Sequence, residues 1–363
     1  MEIFIRLFIK IFLVAGLALT ANSAIAKKCD LDAIYDKEVA LSLPDNFGDP
    51  IEIELQPSFV KLGPINGDEY QFTADFYLTA TWIHEGLAEI FFEDSTDYSC
   101  KIDGRIAGEH IWTPGLDFIN QISVEQDTYN IFTVNSDGYI EHERRIQGIF
   151  SADLDFKNFP FDQQTLRISL VPDADEGSII LLGVDPAEDW TKSLSFSDWR
   201  MIQTSGSSTT TDFRSADWES DYSTFNINVS LERIPTFYLL KVMGPVFFMV
   251  LLSLSSFSLN PATEDYDPRL GLAVTLLLTV VAYTFIAGDN LPVLSYLTST
   301  DLFLALSFFV CLMCVVVTLA LKSLNENFPT SYGSQIILIN KRIRNLLFLG
   351  YLVGNAIIWF PSY

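Results

Sequence analysis

Four apolar stretches with charge-free cores fill the last third of the chain: 235–259, 268–288, 300–321 and 343–360. A charge at the centre of a membrane helix costs about 2.5–3.5 kcal/mol on insertion scales, so four such cores predict a four-helix membrane domain. Lipid satisfies no backbone group, which leaves helices or a closed barrel as the spanning forms. Pro235 opens the first stretch, and Pro245 inside it frees a backbone carbonyl that needs a kink or a protein neighbour.

The second stretch runs from Asp267 to Asp289 and has no charge between Arg269 and Asp289. At helical spacing one face carries Asp267, Gly271, Thr275, Leu278, Ala282, Phe285 and Asp289. Small and hydroxylated residues at one end, bulky apolar ones further along and acids at both flanks suit the wall of a narrow water path. Small residues also serve helix packing, and Asp267 also suits a helix start, where the dipole favours acids.

The front of the chain is of another kind. Residues 27–234 hold 39 Asp/Glu and 14 Lys/Arg, a net charge near −25. Such acidity repels nucleic acid and gathers cations. Arg6 and Lys10, the apolar run Ile11–Thr20 and the small-residue site Ala24–Ala26 predict a signal peptide over 1–26. Cys29 and Cys100 then lie in an exported domain and could pair. Cys311 and Cys314 form a CxxC inside an apolar helix, without the partners zinc needs. Lys322, Lys341, Arg342 and Arg344 lie between the third stretch and the charge-free core of the fourth, which places that segment in the cytoplasm and both chain ends outside.

Within 27–234, Ile51, Ile53 and Leu55 alternate with Glu52, Glu54 and Gln56, and Phe72, Ala74, Phe76, Leu78 and Ala80 alternate likewise. Further short strands are predicted at Asn130–Val134, Tyr139–Phe150, Gln164–Val171, Ser178–Leu182, Arg200–Thr204 and Thr224–Leu231, with Ser205–Thr211 as a polar hairpin tip. Many short strands between turn signals predict an all-β, immunoglobulin-like sandwich.

An exported sandwich followed by four spans resembles a subunit of the pentameric ligand-gated ion channels, the Cys-loop receptor superfamily. Trp112-Thr113-Pro114, followed by Leu116 and Phe118, resembles that family's W-x-P motif. Phe156 and Phe159-Pro160-Phe161-Asp162 resemble its signature loop. Arg233, two residues before Pro235, resembles its pre-membrane arginine. Leu278–Phe285 and Asn290-Leu291-Pro292 resemble the prokaryotic branch. The cysteines that close the signature loop in animal members are here Ala152 and Leu166, and the segment Leu324–Arg342 is short; both features resemble that branch too.

The resemblance implies a homopentamer around a central pore in a lipid bilayer (for the prokaryotic branch, the inner membrane) that passes monovalent cations. Asp267 would form an acid ring at the cytoplasmic mouth, and Leu278, Ala282 and Phe285 an apolar constriction. Coupling between the domains would run through Asp68, Glu69, Asp162, Arg233, Leu291 and Pro292. The agonist, a small molecule such as an amine or a proton, would sit between sandwich domains near Tyr77, Phe118, Asp173, Phe213, Trp218 and Tyr222. No cofactor is implied, and the acidic surface offers divalent cations only a modulatory role. His84, His110 and His142 read as structural. The chain lacks G-x-S-x-G, H-E-x-x-H and a phosphate loop, so an enzyme is not expected. The alternative is a membrane-anchored sensor or binding protein that does not conduct.

Overall fold

The computed structural model describes residues 27–360 apart from 35, 47, 93–97, 184–197, 215–218, 260–265, 289–293 and 328. The expected signal peptide, Trp218, Asp289, Leu291 and Pro292 therefore lie outside the described residues, as does the side chain of Phe213.

Among the described residues, eleven strands form the front half. β1 (Lys27–Lys28), β2 (Ile51–Asn66), β3 (Gln71–Ile83), β4 (Ser99–Asp103), β6 (Gln121–Asn135), β7 (Tyr139–Ser151) and β9 (Ile179–Gly183) make a seven-stranded sheet in the order β1-β4-β6-β7-β3-β2-β9. β5 (Asp117–Phe118), β8 (Gln163–Val171), β10 (Trp199–Arg214) and β11 (Glu219–Arg233) make a four-stranded sheet in the order β10-β11-β8-β5. The alternation in β2 is the cause of its placement. Ile51, Ile53, Leu55 and Phe59 are buried, while Glu52, Glu54, Gln56 and Ser58 face out. Each fully buried aliphatic or aromatic side chain contributes about 1.5–3 kcal/mol. Phe72, Phe76, Phe118 and Phe150 meet at centroid distances of 5.7–6.2 Å and fill the space between the sheets.

Cys29 and Cys100 form a disulfide, with their Cα atoms 4.9 Å apart, and close a loop between residues 71 apart in sequence. The bridge sits beside the short parallel ladder in which Lys27 faces Cys100. Bridges over loops of this length typically contribute about 2–4 kcal/mol, in the chain-entropy account by constraining the unfolded chain.

The expected hairpin tip at Ser205–Thr211 is instead ladder. Ser205 pairs with Asn228 and Thr211 with Tyr222 inside a hairpin that continues to Arg214 and Glu219. The threonines explain the difference, because β-branched residues favour strands even in a polar run.

Helices follow. α1 (Lys37–Leu41), α2 (Glu85–Phe92) and α3 (Gly104–Ala107) decorate the sandwich. Beyond it come α4 (Thr236–Ser258), α5 (Tyr266–Gly288), α6 (Ser299–Asn327) and α7 (Pro329–Trp359). Among the described residues three helices are long and apolar enough to cross a membrane: Thr236–Ser258, Tyr266–Phe285 and Ser299–Asn327. That corrects the expectation of four. The stretch 343–360 falls within α7 up to Trp359, and Arg344, Asn345 and Asn355 lower its apolarity. α7 also starts well before 343, because 330–342 contains no proline to stop a helix and Pro329 takes its first position. Buried Val246 and Val250 of α4, Val280 of α5, Phe303, Val310, Cys311 and Cys314 of α6 and Tyr351 of α7 form a second core. The Tyr351 hydroxyl lies 3.0 Å from that of Ser307, which ties α7 to α6.

Candidate functional site: the exposed face of α5 and its junction with the sandwich

α5 is divided lengthwise. Tyr266, Arg269, Ala273, Leu276 and Val280, at helical spacing, are buried against the neighbouring helices. Asp267, Gly271, Thr275, Leu278, Ala282 and Phe285 occupy the opposite face and are all exposed, Leu278 by 63% and Phe285 by 75%. A subunit therefore leaves uncovered the whole described part of the stripe proposed to line a pore. Large apolar side chains left open in such a row mark a surface that another body covers or that faces a confined space.

Arg269 fixes which face that is. It is completely buried. Its Nε donates to Thr318 of α6 at 3.0 Å, and Nη1 donates to Asn340 of α7 at 2.9 Å and to the Leu259 carbonyl at 3.2 Å. Its guanidinium lies 4.5 Å from the centroid of Phe257, and Asn340 donates in turn to the Phe257 carbonyl at 2.7 Å. Arginine suits this role because a planar fork of five donors can reach several helices at once. The sequence left the direction of Arg269 open. Residues 49 and 71 positions away decide it, and no local pattern shows them.

At the other end, Arg233 ends β11 and meets Asp162 of the loop between β7 and β8. Nε and Nη2 reach the two carboxylate oxygens at 2.7 and 3.1 Å, and the Arg233 backbone N–H donates to the Asp162 carbonyl at 3.1 Å. Both side chains are almost wholly buried. Gln164 donates to the same carboxylate at 2.8 Å. The guanidinium stands 4.1 Å from the ring of Trp199 and 4.7 Å from that of Phe159. The expected pair is thus present, and Trp199 and Tyr238 around it were not foreseen.

The same loop grips the helices. Ser299 at the head of α6 donates to the Lys157 carbonyl, from N–H at 2.9 Å and from Oγ at 3.1 Å. Thr300 donates to the Phe159 carbonyl at 2.9 Å, and the Phe156 N–H donates to the Tyr296 hydroxyl at 2.9 Å. Phe159 packs edge-on to Tyr238 of α4, and Phe161 edge-on to Trp359 of α7. Asp68 and Glu69 lie in the turn between β2 and β3, where the Asn66 side chain accepts from the Asp68 N–H at 3.1 Å and donates to Glu69 at 3.0 Å.

The aromatic residues expected at an agonist site are dispersed within one subunit. Tyr77 is on β3 in the large sheet and Tyr222 on β11 in the small one. One side of Tyr77 is taken by Arg145, 5.5 Å from its centroid, and Tyr129 packs edge-on at 6.2 Å. Arg145 is itself forked onto Asp75 at 2.8 and 3.0 Å, which raises its pKa. Phe118 joins the core described above, because its neighbour Asp117 takes the outward position on β5. The Asp173 backbone N–H donates to the Pro114 carbonyl at 3.2 Å, and partial burial, then Asp117, raises its carboxyl above the usual range.

Phe118 also lines a cavity of about 380 Å³ with Asn130, His142 and Arg144. His142 stacks on Phe132 at 3.8 Å, and its Nε2 donates to Asn130 Oδ1 at 2.8 Å. Burial, and second Arg144, lower its pKa from 6.5 to about 4. Between those values the unfolded chain binds a proton that the folded one refuses, so stability falls as pH drops through that window. The full shift corresponds to roughly 3 kcal/mol per subunit. His142→Gln is expected to remove this slope from denaturation midpoints measured between pH 7.5 and 4.5. An unchanged slope would assign the acid sensitivity elsewhere.

The profile of the neurotransmitter-gated ion-channel ligand binding domain matches residues 28–235. The chain belongs to the neurotransmitter-gated ion-channel family. Among its relatives, the human gamma-aminobutyric acid receptor subunit rho-2 is 28% identical over 313 residues, which covers 80% of this chain and 65% of the relative. The rat rho-2 subunit is 27% identical over 308 residues, covering 79% and 64%. The mouse rho-1 subunit is 28% identical over 297 residues, covering 79% and 59%. The chain thus spans less than two thirds of the length of these receptor subunits. Members of this family are ligand-gated channels and not enzymes, which agrees with the reading of the motifs. The matched region ends at Pro235, where α4 is about to begin, so the family resemblance and the Arg233–Asp162 junction meet at one boundary.

Proposed function

We propose that the chain is one subunit of a homopentameric channel of the prokaryotic branch, in which five copies of α5 line a cation-conducting pore. The observation that carries this reading is the uncovered stripe from Asp267 to Phe285, set against a buried stripe anchored by Arg269. In a fivefold ring each stripe residue recurs five times. Asp267 then gives a ring of carboxylates at the cytoplasmic mouth, which attracts cations. By its place in the sequence, Asp289 is assigned to the outer mouth. Leu278, Ala282 and Phe285 form the gate, and apolar rings of this kind block ions by dewetting.

The sandwich, 27–234, lies outside the cytoplasm after removal of 1–26, and senses the opening signal. That signal reaches the helices through Asp162 and Arg233; Asp68 and Glu69, and by their place in the sequence Leu291 and Pro292, are further candidates for the path. The agonist site is formed between subunits, with Tyr77 of the large sheet on one side and Tyr222 of the small sheet on the other; Phe213 and Trp218, near Tyr222 in sequence, and Phe118 and Asp173 are further candidates. The names of the relatives give gamma-aminobutyric acid, a primary amine, which fits the amine class suggested by aromatic faces and acids.

Cysteine accessibility tests the pore face. In a planar bilayer, a charged methanethiosulfonate reagent is expected to block the current of Thr275→Cys by more than half and to leave that of Ala273→Cys unchanged. The reverse pattern would put the wrong face on the pore. Protein that incorporates as a pentamer but passes no current with amines or pH steps would favour the anchored sensor.

A further inference from the structure

Pro245 lacks the N–H that would close an α-helical bond onto the Lys241 carbonyl four residues earlier. The helix responds by widening. Leu239–Met243 is a π turn, in which the Gly244 N–H reaches back to the Leu239 carbonyl. Turns of this kind inside helices recur at functional sites. The Lys241 carbonyl is then met from outside its own helix, by the hydroxyl of Tyr283 on α5. Tyr283 lies next to Ala282 and two residues before Phe285, yet it is half-buried where they are exposed. Among the described residues, a second polar tie joins α5 to the residue that follows α4, from Arg269 to the Leu259 carbonyl.

We propose that Tyr283 is a positioning residue that couples the proline break of α4 to the rotation of α5. Arg233 is two residues from Pro235, which precedes α4 directly, so a shift at the Arg233–Asp162 junction is delivered to the first turns of that helix. The π turn is where the helix can yield, and the Tyr283 hydroxyl is fastened to it. Movement of the Lys241 carbonyl turns α5 about the Arg269 anchor and swings Phe285 and Leu278 relative to the axis. The bond itself is independent of conduction; its consequence for gating rests on the pore reading above.

The test is a double-mutant cycle. Tyr283→Phe removes only the hydroxyl and is expected to shift the activation midpoint about fivefold to tenfold, the scale of one neutral hydrogen bond. Pro245→Ala restores a helical donor for the Lys241 carbonyl, so in that background Tyr283→Phe is expected to shift the midpoint less than twofold. Replacing Val242 by its α-hydroxy acid keeps every side chain and weakens the Lys241 carbonyl as an acceptor. It is expected to reproduce the Tyr283→Phe shift and to add little to it, and it decides the matter if Pro245→Ala does not assemble. The probes are n-propylamine and pH steps, with unit conductance expected to stay unchanged. Equal shifts from Tyr283→Phe in all backgrounds, or none in the wild type, would overturn the proposal. If the wild type conducts with neither probe, the pore reading fails by itself. Thermal midpoints in detergent then decide the bond: non-additive losses support it and additive losses refute it.

Discussion

Asp162→Asn is expected to abolish opening. The substitution leaves the Arg233 guanidinium buried with its charge uncompensated, and breaking a buried pair by removing one partner costs about 3–5 kcal/mol. Trp199 and Phe159 soften this only in part, since a ring face contributes about 0.5–2 kcal/mol to a cation over it. The loop that carries Asp162 also holds Ser299, Thr300 and Tyr296 through the carbonyls and N–H groups of 156–159. A loop displaced by an unpaired arginine therefore loses its hold on α6 as well. Size-exclusion chromatography and currents from the same preparation separate loss of assembly from loss of gating. Arg233→Lys keeps the charge but not the fork, and is expected to fall between wild type and Asp162→Asn. Full currents and an unchanged thermal midpoint in Asp162→Asn would remove this pair from the path.

Leu278→Thr is expected to open the gate in the absence of agonist, or to lower the activation midpoint at least tenfold. Five hydroxyls in place of five isobutyl groups allow water to remain in the constriction. Leu278 is 63% exposed in the subunit, so the change removes little packing, and thermal midpoints should stay close to wild type. That combination distinguishes a gate from a core position. At Val280, which is fully buried two residues on, the same kind of substitution should cost stability instead. An unchanged closed-state current and agonist response in Leu278→Thr would place the constriction elsewhere.

Much of this was legible in the sequence because it depends on local periodicity. The alternation of β2 and the stripe of α5 are consequences of a two-residue and a 3.6-residue repeat, and burial follows both. The Arg233–Asp162 pair was reached through motif resemblance, since 71 residues separate its partners. What the sequence withheld has the same character throughout. The direction of Arg269 depends on Thr318 and Asn340, and the ring over Arg233 belongs to Trp199, which pairs with it across the hairpin. Phe118, expected at a binding surface from its place in a motif, packs against Phe76 and Phe150 while lining the cavity beside His142, and no local pattern shows those contacts. The SGSSTTT run reads as a loop by polarity and is a strand by its ladder with β11. The early start of α7 was missed because its polar first turns carry no membrane signal.

The most direct test of the central claim is the reversal potential of the purified protein in a planar bilayer under a tenfold NaCl gradient. A pore lined by Asp267 at one mouth and by the exposed face of α5 along its length predicts reversal near the sodium equilibrium potential. It further predicts that Asp267→Asn moves that potential toward zero. Reversal near the chloride potential in the wild type would contradict the account.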